Sequence, residues 1–457
     1  MKAIKNDPKL PHVALAMDAE KMRHIFETHL PQFSNGQWRV ISVDVSQFRY
    51  RPQKKVKVNY ILHCSHPAKG EKESLIYSTL MLPDLVAKDK FKREKRKAYV
   101  APSIGPAVHY ISEVDMILWS FPNDPKIKNL SEVISESRLL EKLEQHRAEF
   151  GLSEESVFEE IKTEIIKYAP STRCTLKHRL LVRDNEEYAK QFTIYSKSYS
   201  NKFSAAPLYE VLRELSNRDK CCSGELAAPK PLFYDEETNT IFMRELRGEH
   251  ILGKREEVDL PAMAGKCGAA LSDLQKCLLS MGENRSREVE LNEFQKGVQT
   301  LLRSDENLRP RLDKISDYLQ DALPRLPELA LVPSHGAFRL PQLLDVDGKI
   351  GLVDFDGFLL ADPAADVASF LTHLLYLNTK GEMEWADSLK IGHEFLRGYA
   401  RHSESELPKE VLNWYAVVAL VGGHAVKCVR VVKEDKDALI DSLLSMAEDI
   451  IAKKLVF

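Results

Sequence analysis

The stretch "SHGAFRLPQLLDVDGKIGLVDFDGFLLADPAADVASFL", residues 334–371, carries three structural signals in succession. Two short apolar runs flank the Asp-Val-Asp-Gly sequence at 345–348, which predicts a β-hairpin closed by a tight turn. The second apolar run ends in Asp354. A helix is predicted next, with Asp362 as its cap, a proline in its first turn and Asp366 on the same early face.

Asp354 and Gln342 are the candidate metal ligands in this stretch. A carboxylate at the end of a buried apolar strand is costly unless it meets a metal ion or another partner. The predicted hairpin would bring the Gln342 amide near Asp354, so that two oxygen atoms could share one Mg²⁺ ion. The alternative is structural: Asp354 would cap a turn through its own backbone, with Asp356 and a glycine completing it. The local sequence leaves both interpretations open.

Upstream, the chain alternates between strand-like and helical patterns. Residues 37–52 and 55–64 alternate apolar with polar side chains and are rich in Val, Ile and Tyr, which predicts strands. The strand pattern returns between 168 and 200. After Gly248 nearly everything has helical spacing, apart from 330–356. Strands followed by helices predict an α+β chain with a sheet-rich lobe and a helical lobe.

A weak internal repeat relates two of the strand-rich regions. When Tyr50 is aligned with Tyr168, an offset of 118 residues, "IYST" ending at Thr79 falls on "IYSK" ending at Lys197. The same β-sheet unit would then occur twice, with a lysine in the second copy where the first has a threonine. Chance similarity between two hairpins is the alternative.

The bulk composition is that of a globular protein. The 457 residues are 44% hydrophobic and 29% charged, and the formal charge of −3 provides no overall field for nucleic acid or a membrane, so we expect neither as a partner. Seven cysteines without paired spacings predict reduced thiols. We find no signal-peptide-like core and no apolar run long enough to span a bilayer, and therefore expect a cytoplasmic protein.

A basic run, "KDKFKREKRKAYV" at 88–100, departs from this ordinary composition. One interpretation is a patch for phosphate groups or an acidic partner. The other is the solvated face of a helix. Sequence alone favours the solvated face.

The opening stretch resembles the C-lobe motif of the aminoglycoside phosphotransferase, choline kinase and maltokinase superfamily. That motif reads roughly H-G-D-x-x-x-x-N/Q, a short hairpin, an apolar strand ending in D-[FW]-[DE], and then D-P-x-x-D-[LV]-A. The corresponding residues are His335, Gly336, Ala337, Gln342, Asp354, Phe355, Asp356, Asp362, Pro363, Asp366, Val367 and Ala368. The chain is therefore similar to a bacterial phosphotransferase-like member with a degenerate motif, His-Gly-Ala for His-Gly-Asp.

A weaker resemblance continues upstream. "YAPSTRCTLKHRLL" and "FTIYSKSY" are similar to an N-lobe pattern of bacterial phosphotransferase-like proteins. That pattern implies that Lys197 binds the α- and β-phosphates of a nucleotide, with Lys190 as the competing choice. The helix predicted at 204–217 would supply the carboxylate that pairs with this lysine, either Glu210 or Glu214.

The resemblance also implies further nucleotide contacts. Arg173 would reach a phosphate, although an ordinary exposed strand arginine is the alternative. The backbone near Met243, Glu245 and Leu246 would meet the adenine. The implied cofactors are ATP and Mg²⁺, bound between the two lobes. No glycine-rich phosphate loop accompanies these residues, so Ser and Thr side chains and backbone amides would have to serve instead.

The fold implied is α+β and bilobal, protein-kinase-like, with an N-terminal cap. We expect an α/β cap domain at 1–150, a small β-rich N-lobe at 151–247 and a large helical C-lobe at 248–457. The internal repeat indicates that the cap duplicates the N-lobe sheet.

Ala337 stands where the resemblance places the catalytic carboxylate, and a methyl group can neither accept nor orient the proton of a hydroxyl. Asp356 is the candidate for a relocated base. His335 either takes part in catalysis or ties its loop to the backbone. Arg339 could hold an anionic substrate or a phosphate; its alternative is a salt bridge to an aspartate at the start of the following helix.

Three functions are compatible with this set of residues. The first is a phosphotransferase acting on a small hydroxylated metabolite, such as a sugar or an aminoglycoside-like compound. The second is a pseudokinase, a regulatory protein that binds a nucleotide or metabolite without catalysis. The third is a scaffold that binds no nucleotide. Trp414, Tyr415 and His424 could touch an acceptor, although core packing is the favoured interpretation. The sequence specifies neither the acceptor nor the oligomeric state.

Overall fold

The computed structural model describes residues 7–83, 86–185, 188–216, 226–253, 255, 257–277, 279, 282–404 and 406–453. The chain forms two compact units. The first comprises Met1–Ala206, Leu232–Met243 and Arg430–Glu434, and the second Pro207–Pro231, Arg244–Val429 and Asp435–Phe457. Sheets dominate the first unit and helices the second, so the predicted α+β class is confirmed.

In the described ranges the strands are β1 (Arg39–Arg51), β2 (Lys55–Ser65), β3 (Lys72–Met81), β4 (Val108–Ile111), β5 (Met116–Ser120), β6 (Val157–Ala169), β7 (Arg173–Asn185), β8 (Tyr188–Tyr199), β9 (Leu226–Ala227), β10 (Pro231–Asp235), β11 (Thr240–Arg244), β12 (Glu249–His250), β13 (Asn284–Arg285), β14 (Val332–Ser334), β15 (Leu343–Val346), β16 (Lys349–Leu352) and β17 (Leu359–Ala361). The α-helices are α1 (Ala19–His29), α2 (Pro31–Ser34), α3 (Val86–Glu94), α4 (Leu130–Ile134), α5 (Glu136–Gln145), α6 (Ala206–Leu215), α7 (Leu260–Lys276), α8 (Arg287–Ser304), α9 (Arg309–Ala322), α10 (Ala364–Thr379), α11 (Trp385–His402), α12 (Lys409–Val418), α13 (Val426–Arg430) and α14 (Lys436–Ile451).

Two five-stranded sheets in the first unit share one strand order. The first sheet is ordered β1-β2-β3-β5-β4 and the second β6-β7-β8-β11-β10. Shifting Arg39–Arg51 by 118 residues gives Val157–Ala169, the bounds of β6. A β-bulge interrupts each edge strand at an equivalent place, Val40/Ser42 in β1 and Phe158/Glu160 in β6. The structure thus contains the repeated sheet that the sequence offset predicts.

The pairing of the third strand in each sheet shows that Thr79 is not the residue that corresponds to Lys197. Thr79 lies opposite Val58, whereas Lys197 lies opposite Thr175. The residue that occupies the position of Lys197 in the first sheet is therefore Leu80, which lies opposite Lys57. A register shift between Arg183 and Asn185 displaces β8 by one residue, which explains why an ungapped alignment places Thr79 there.

A buried aspartate fixes the hairpin turn of each sheet. One carboxylate oxygen of Asp7 accepts hydrogen bonds from Tyr50 Oη (2.7 Å) and Gln53 N (2.7 Å). One carboxylate oxygen of Asp124 likewise accepts from Tyr168 Oη (2.7 Å) and Ser171 N (2.8 Å). The other oxygen of each aspartate accepts two backbone N–H groups from the residues that follow it. Both turn residues have a φ of +57°. The anchor is thus duplicated together with the sheet.

Glycines allow the closest helix packing in the second unit. A Cβ at Gly268 of α7 would lie 2.1 Å from the Phe395 carbonyl of α11, and one at Gly398 would lie 1.9 Å from the Gly265 carbonyl. Only residues without a side chain permit this separation. Beside this pair, Phe370 stacks on Phe395 at 3.9 Å between ring centroids. The helical core is therefore built directly beneath the 334–371 stretch, whose Phe338 also contacts Phe395.

One helix is longer than its apolar run indicates. α12, a π-helical segment at Ala419–Ala425 and α13 form a continuous helix, Lys409–Arg430. By length and composition alone this helix could cross a membrane, contrary to the expectation that the run was too short. The expectation was wrong because the helix begins in polar sequence before the apolar run. Two thirds of its most apolar window is buried within the structure, as in core helices of globular units.

Candidate active site

Asp366 organises the loop that carries the His-Gly-Ala sequence. One oxygen of its carboxylate accepts hydrogen bonds from Ser334 Oγ (2.8 Å) and His335 N (2.6 Å), and the other from Phe338 N (3.3 Å). The carboxylate is buried in the first turn of α10. Because one side chain on a rigid helix binds both ends of the loop, residues 335–338 have a fixed conformation.

The loop also touches the turn that follows Asp354. Gly336 has a φ of +73°, and a Cβ there would lie 2.1 Å from the Gly357 carbonyl oxygen. Glycine is required at 336 for both reasons. The backbone of the His-Gly-Ala loop therefore lies directly against the Asp-Phe-Asp-Gly turn, and Ala337 is next to that contact.

His335 links the same two segments. Its Nε2 lies 3.0 Å from the Val353 carbonyl, to which it donates, and its ring is edge-on to Phe355 at 5.0 Å. Burial lowers the pKa of this imidazole, while the nearby Asp366 opposes that shift. A neutral, buried histidine that donates to a carbonyl matches the loop-tying role described above.

The predicted hairpin forms as β15 and β16. Leu343 lies opposite Leu352, and the connecting Asp347 and Gly348 both have positive φ, as a tight two-residue turn requires. At the open end of the hairpin the Val353 N–H donates to the Gln342 carbonyl at 3.0 Å. The hairpin thus brings Gln342 and the residue before Asp354 into contact, as the sequence predicts.

Asp354 itself adopts a left-handed conformation, with φ of +68° and ψ of 52°. Such a backbone is uncommon outside glycine and asparagine, and strained residues of this type cluster at functional sites. The turn Phe355–Gly357 follows at once and carries Asp356. The two aspartates therefore occupy one short turn beside the His-Gly-Ala loop.

Arg339 bonds with the hairpin. Its Nε donates to Gln342 Oε1 at 3.2 Å. Burial lowers the pKa of this guanidinium, and the Asp354 carboxylate opposes the shift. Asp362, one of the acids at the following helix start, instead pairs with Arg287, whose Nε lies 2.9 Å away, and accepts the Ala364 N–H at 2.9 Å. Asp362 thus stabilises the start of α10, as the sequence predicts.

The oxygen donors of Gln342 and Asp354 fit Mg²⁺. This ion prefers hard oxygen ligands and commonly uses one or two protein carboxylates together with phosphate oxygens. The guanidinium of Arg339 occupies the Gln342 oxygen and would have to release it to a metal ion. Within the described ranges no three His, Cys, Asp or Glu side chains form a metal-binding group.

A buried histidine that the sequence reasoning missed lies in α10. His373 is 7% exposed, and neither ring nitrogen has a hydrogen-bond partner. Its ring packs beside His424 at 6.1 Å, and His424 stacks on Tyr376 at 4.7 Å. Burial lowers the pKa of His373 to about 3, with the Arg339 charge as the second cause. The sequence signal that could have identified His373 was its position seven residues, or two helical turns, after Asp366 on the same face of α10.

The candidate acceptor residues divide into two groups. Trp414 is fully buried and its Nε1 donates to the Leu319 carbonyl at 3.0 Å, so it belongs to the core. His424 lies in the π-helical segment beside His373, and π-helical turns are frequent at functional sites. Burial lowers the pKa of both His424 and His373, and the Arg339 charge lowers both further.

The proposed nucleotide residues lie as follows. Lys197 is on β8, with its ammonium group 5.9 Å from the Tyr199 ring centroid, and Arg173 begins β7 opposite Ala169. Glu210 on α6 pairs with Arg213 at 2.6 Å. Met243 is in β11, and Glu245 and Leu246 follow that strand. Lys197 and Met243 belong to the first unit. Glu210, Glu245 and Leu246 belong to the second.

The chain is similar to known proteins in sequence and in structure. The model of the phosphotransferase enzyme family matches residues 192–405. No curated protein matches the sequence.

Three solved structures illustrate the structural likeness. A choline kinase from Cryptosporidium parvum Iowa II has 12% identity and a TM-score of 0.46, over 70% of this chain and 97% of that one. Aminoglycoside phosphotransferase APH(4)-Ia, as a thermostable mutant in ternary complex with ADP and hygromycin B, has 14% identity and a TM-score of 0.46, over 70% and 99%. A choline/ethanolamine kinase family protein from Mesorhizobium loti has 15% identity and a TM-score of 0.43, over 64% and 88%.

The matched range includes Lys197 and the complete 334–371 stretch. Over this range, slightly under half of the chain, the sequence is similar to the phosphotransferase enzyme family.

Proposed function

We propose that this protein binds ATP with Mg²⁺ and transfers the γ-phosphoryl group to a small hydroxylated metabolite. The observation that supports this most is the preserved apposition of two turns. The His-Gly loop, held by Asp366, lies against the Asp-Phe-Asp-Gly turn at the contact of Gly336 with Gly357. That geometry supports Gln342 and Asp354 as the proposed oxygen donors.

In this proposal Gln342 Oε1 and the Asp354 carboxylate hold the metal ion, which supplies neutralisation of phosphate charge. Lys197 contributes positive charge to the α- and β-phosphates, and Arg173 reaches another phosphate oxygen. The backbone near Met243, Glu245 and Leu246 receives the adenine. Glu210, or alternatively Glu214, is the carboxylate that the family resemblance assigns to this lysine.

Asp356 takes the place of the missing base. The turn that carries it contacts Gly336, so its carboxylate belongs to the same small region as Ala337. A carboxylate there could accept the proton of the attacking hydroxyl. His335 keeps the loop in position through its bond to Val353.

The acceptor that fits this site carries a negative charge as well as a hydroxyl group. The two buried histidines, His373 and His424, lie beside each other, and after burial the positive charge of Arg339 contributes to the lowered pKa of both. The unpartnered ring nitrogens of His373 can bind a polar ligand atom. A sugar acid or a sugar phosphate would satisfy these groups.

A regulatory protein without catalysis is the second candidate. It is favoured by Ala337 and by the hydrogen bond from Arg339 to Gln342, which places a fixed cation on a proposed metal ligand. In that case the nucleotide binds, with Arg339 in place of the metal ion, and no phosphate is transferred.

Nucleotide binding is tested by calorimetry and thermal denaturation with ATP, with and without MgCl₂. We expect ATP to raise the melting temperature by a few degrees at saturating concentration, by mass action. Lys197→Met should abolish the shift. Lys190→Met, seven residues earlier on the same strand and therefore on its opposite face, should keep it. No shift at millimolar ATP would leave only the scaffold function.

Catalysis is tested by ADP release and by phosphorus NMR with a panel of sugars, sugar acids and sugar phosphates. We expect Asp356→Asn to lower turnover by about a hundredfold or more, as is typical for the loss of a general base. Ala337→Asp separates the two candidates. Turnover that appears only in Ala337→Asp identifies a protein that has lost catalysis, whereas turnover in the parent supports the relocated base.

A further inference from the structure

The turn end of the β1–β2 hairpin presents four cations on one face. Arg51 lies opposite Lys55, and Arg49 lies opposite Lys57. Residues two apart in a strand share a face, so the two cross-strand pairs adjoin each other. Like charges directly opposite one another destabilise a sheet. The arrangement therefore opposes folding unless something compensates it.

At the four corresponding positions the second sheet has two cations instead of four. There Ala169 lies opposite Arg173, and Lys167 lies opposite Thr175. The extra cations of the first sheet are thus not inherited from the shared fold. Lys57 lies opposite Leu80 on the neighbouring strand of the first sheet. The residue of the second sheet that corresponds to Leu80 is Lys197.

Lysines from other elements add to the positive potential at this cluster. The largest electrostatic influences on Lys55 come from Arg51, Lys126, Lys202 and Lys90, all of them cations. Burial, followed by the charges of these neighbours, lowers the pKa of Lys57 to about 8. Lys90 is part of the basic run at 88–100, so one member of that run faces a cluster of cations.

Lys90 pairs with Glu94 at 3.2 Å, but among the described residues no carboxylate forms an ion pair with Arg51, Lys55 or Lys57. Asp124 is the carboxylate that most attracts Lys57, but its oxygens already accept four hydrogen bonds, from Lys126 N, Ile127 N, Tyr168 Oη and Ser171 N. The Lys57 ammonium donates to the Pro170 carbonyl at 3.0 Å, which holds it in place beside the second hairpin turn. An ammonium has three N–H bonds, so two others can reach a ligand.

We propose that this face of the first sheet is a second anion site, which binds a small, multiply charged phosphate anion through Arg51, Lys55 and Lys57. A triphosphate has the charge and the number of oxygens to contact both cross-strand pairs. The site is built only from residues of the first unit and does not depend on the function proposed above. Its chemistry is common to inorganic polyphosphate and to the phosphate chain of a nucleotide, and the test distinguishes the two.

The test is calorimetric titration of the full chain at low ionic strength with inorganic tripolyphosphate, orthophosphate and ATP. We expect tripolyphosphate to bind more tightly than orthophosphate. The double variant Arg51→Gln/Lys55→Gln should bind tripolyphosphate about tenfold more weakly or worse. Lys55→Arg should retain the affinity because the charge is kept. A circular-dichroism melt of each variant confirms that it is folded.

A matched control exists in the second sheet. Lys162 and Arg179 also lie opposite each other, but each has a carboxylate partner, Glu160 and Glu164. Lys162→Gln/Arg179→Gln removes the same charge and should leave tripolyphosphate affinity unchanged. Equal weakening by both double variants would show nonspecific attraction and overturn the proposal, as would the absence of tripolyphosphate binding by the parent.

ATP affinity separates this site from the nucleotide site. We expect Arg51→Gln/Lys55→Gln to bind ATP as the parent does, and Lys197→Met to bind tripolyphosphate as the parent does. If both ligands weaken together in both variants, a single site binds them and the second site is disproved. That result would leave nucleotide binding itself intact, so the two proposals fail separately.

Discussion

The two five-stranded sheets of the first unit have one architecture and different surfaces. Their strand order, edge-strand bounds, bulges and aspartate anchors correspond. Their charged side chains do not: across the second and third strands, the first sheet pairs Lys57 with Leu80, and the second pairs Thr175 with Lys197. A lysine is present in both pairs, but on a different strand. The fold is thus specified by buried polar anchors and the apolar pattern, while the positions of the charged side chains differ between the two sheets.

The largest effect that would test this comparison is loss of an anchor. Asp7→Ala and Asp124→Ala each leave a buried tyrosine hydroxyl and three backbone amides without their acceptor. We expect each to lower the free energy of unfolding by about 3–5 kcal/mol, and by similar amounts, as measured by urea denaturation. Asp44→Ala, at an exposed carboxylate on β1, should cost less than about 0.5 kcal/mol.

If one anchor variant were near neutral while the other unfolded the unit, the two sheets would not be energetically equivalent. The hydrogen bonds of the two anchors would then correspond in geometry but not in their contribution to stability.

A smaller difference is expected in pH dependence. His178 of β7 is fully buried, with its ring nitrogens 2.9 Å from Thr163 Oγ1 and 2.7 Å from Ser196 Oγ. Burial lowers its pKa to about 4. Because the unfolded imidazole, with a pKa of about 6.5, binds a proton more readily than the folded one, stability is full above that pH and declines as the pH falls towards 4.

We expect His178 to account for up to about 3 kcal/mol of this decline. His178→Gln should flatten the dependence of unfolding free energy on pH between 6.5 and 4. The corresponding residue of the first sheet is Tyr60, whose hydroxyl donates to the Ala16 carbonyl at 2.6 Å and does not titrate in this range. Tyr60→Phe should therefore leave the slope unchanged, and an equal slope in His178→Gln and the parent would refute the assignment.

The smallest of the expected effects concerns ligand linkage. Lys197→Met should remove the stabilisation by ATP, about 1–3 kcal/mol at saturating ligand, and Lys57→Met should not. Thermal denaturation with and without ATP measures both. An ATP effect lost in Lys57→Met and kept in Lys197→Met would reverse the roles that we give to the two sheets.

Local patterns made several parts of the structure predictable. The Asp-Val-Asp-Gly turn specifies the β15–β16 hairpin because its last two residues tolerate positive φ, and the Asp-Pro pair specifies the start of α10. The repeat was visible because strand and turn chemistry recur at fixed spacing. These features depend on residues close together in the chain.

The remaining features depend on contacts between distant residues. The Asp7 anchor reaches a turn more than forty residues away, although Asn-Asp-Pro-Lys at 6–9 and again at 123–126 was a usable signal. The slip of one residue in β8 arises from a register shift that no ungapped alignment shows. The burial of His373 depends on how α10 packs, which helical periodicity does not specify.

Gly336 determines what a change at the neighbouring position can do. Its backbone is pressed against Gly357 and tied to Asp366 through residues on either side, so the loop does not rely on the side chain at 337 for its shape. A carboxylate could be gained or lost there without refolding the surroundings. On the function proposed above, a substitution at 337 would therefore change turnover without changing the conformation of the loop.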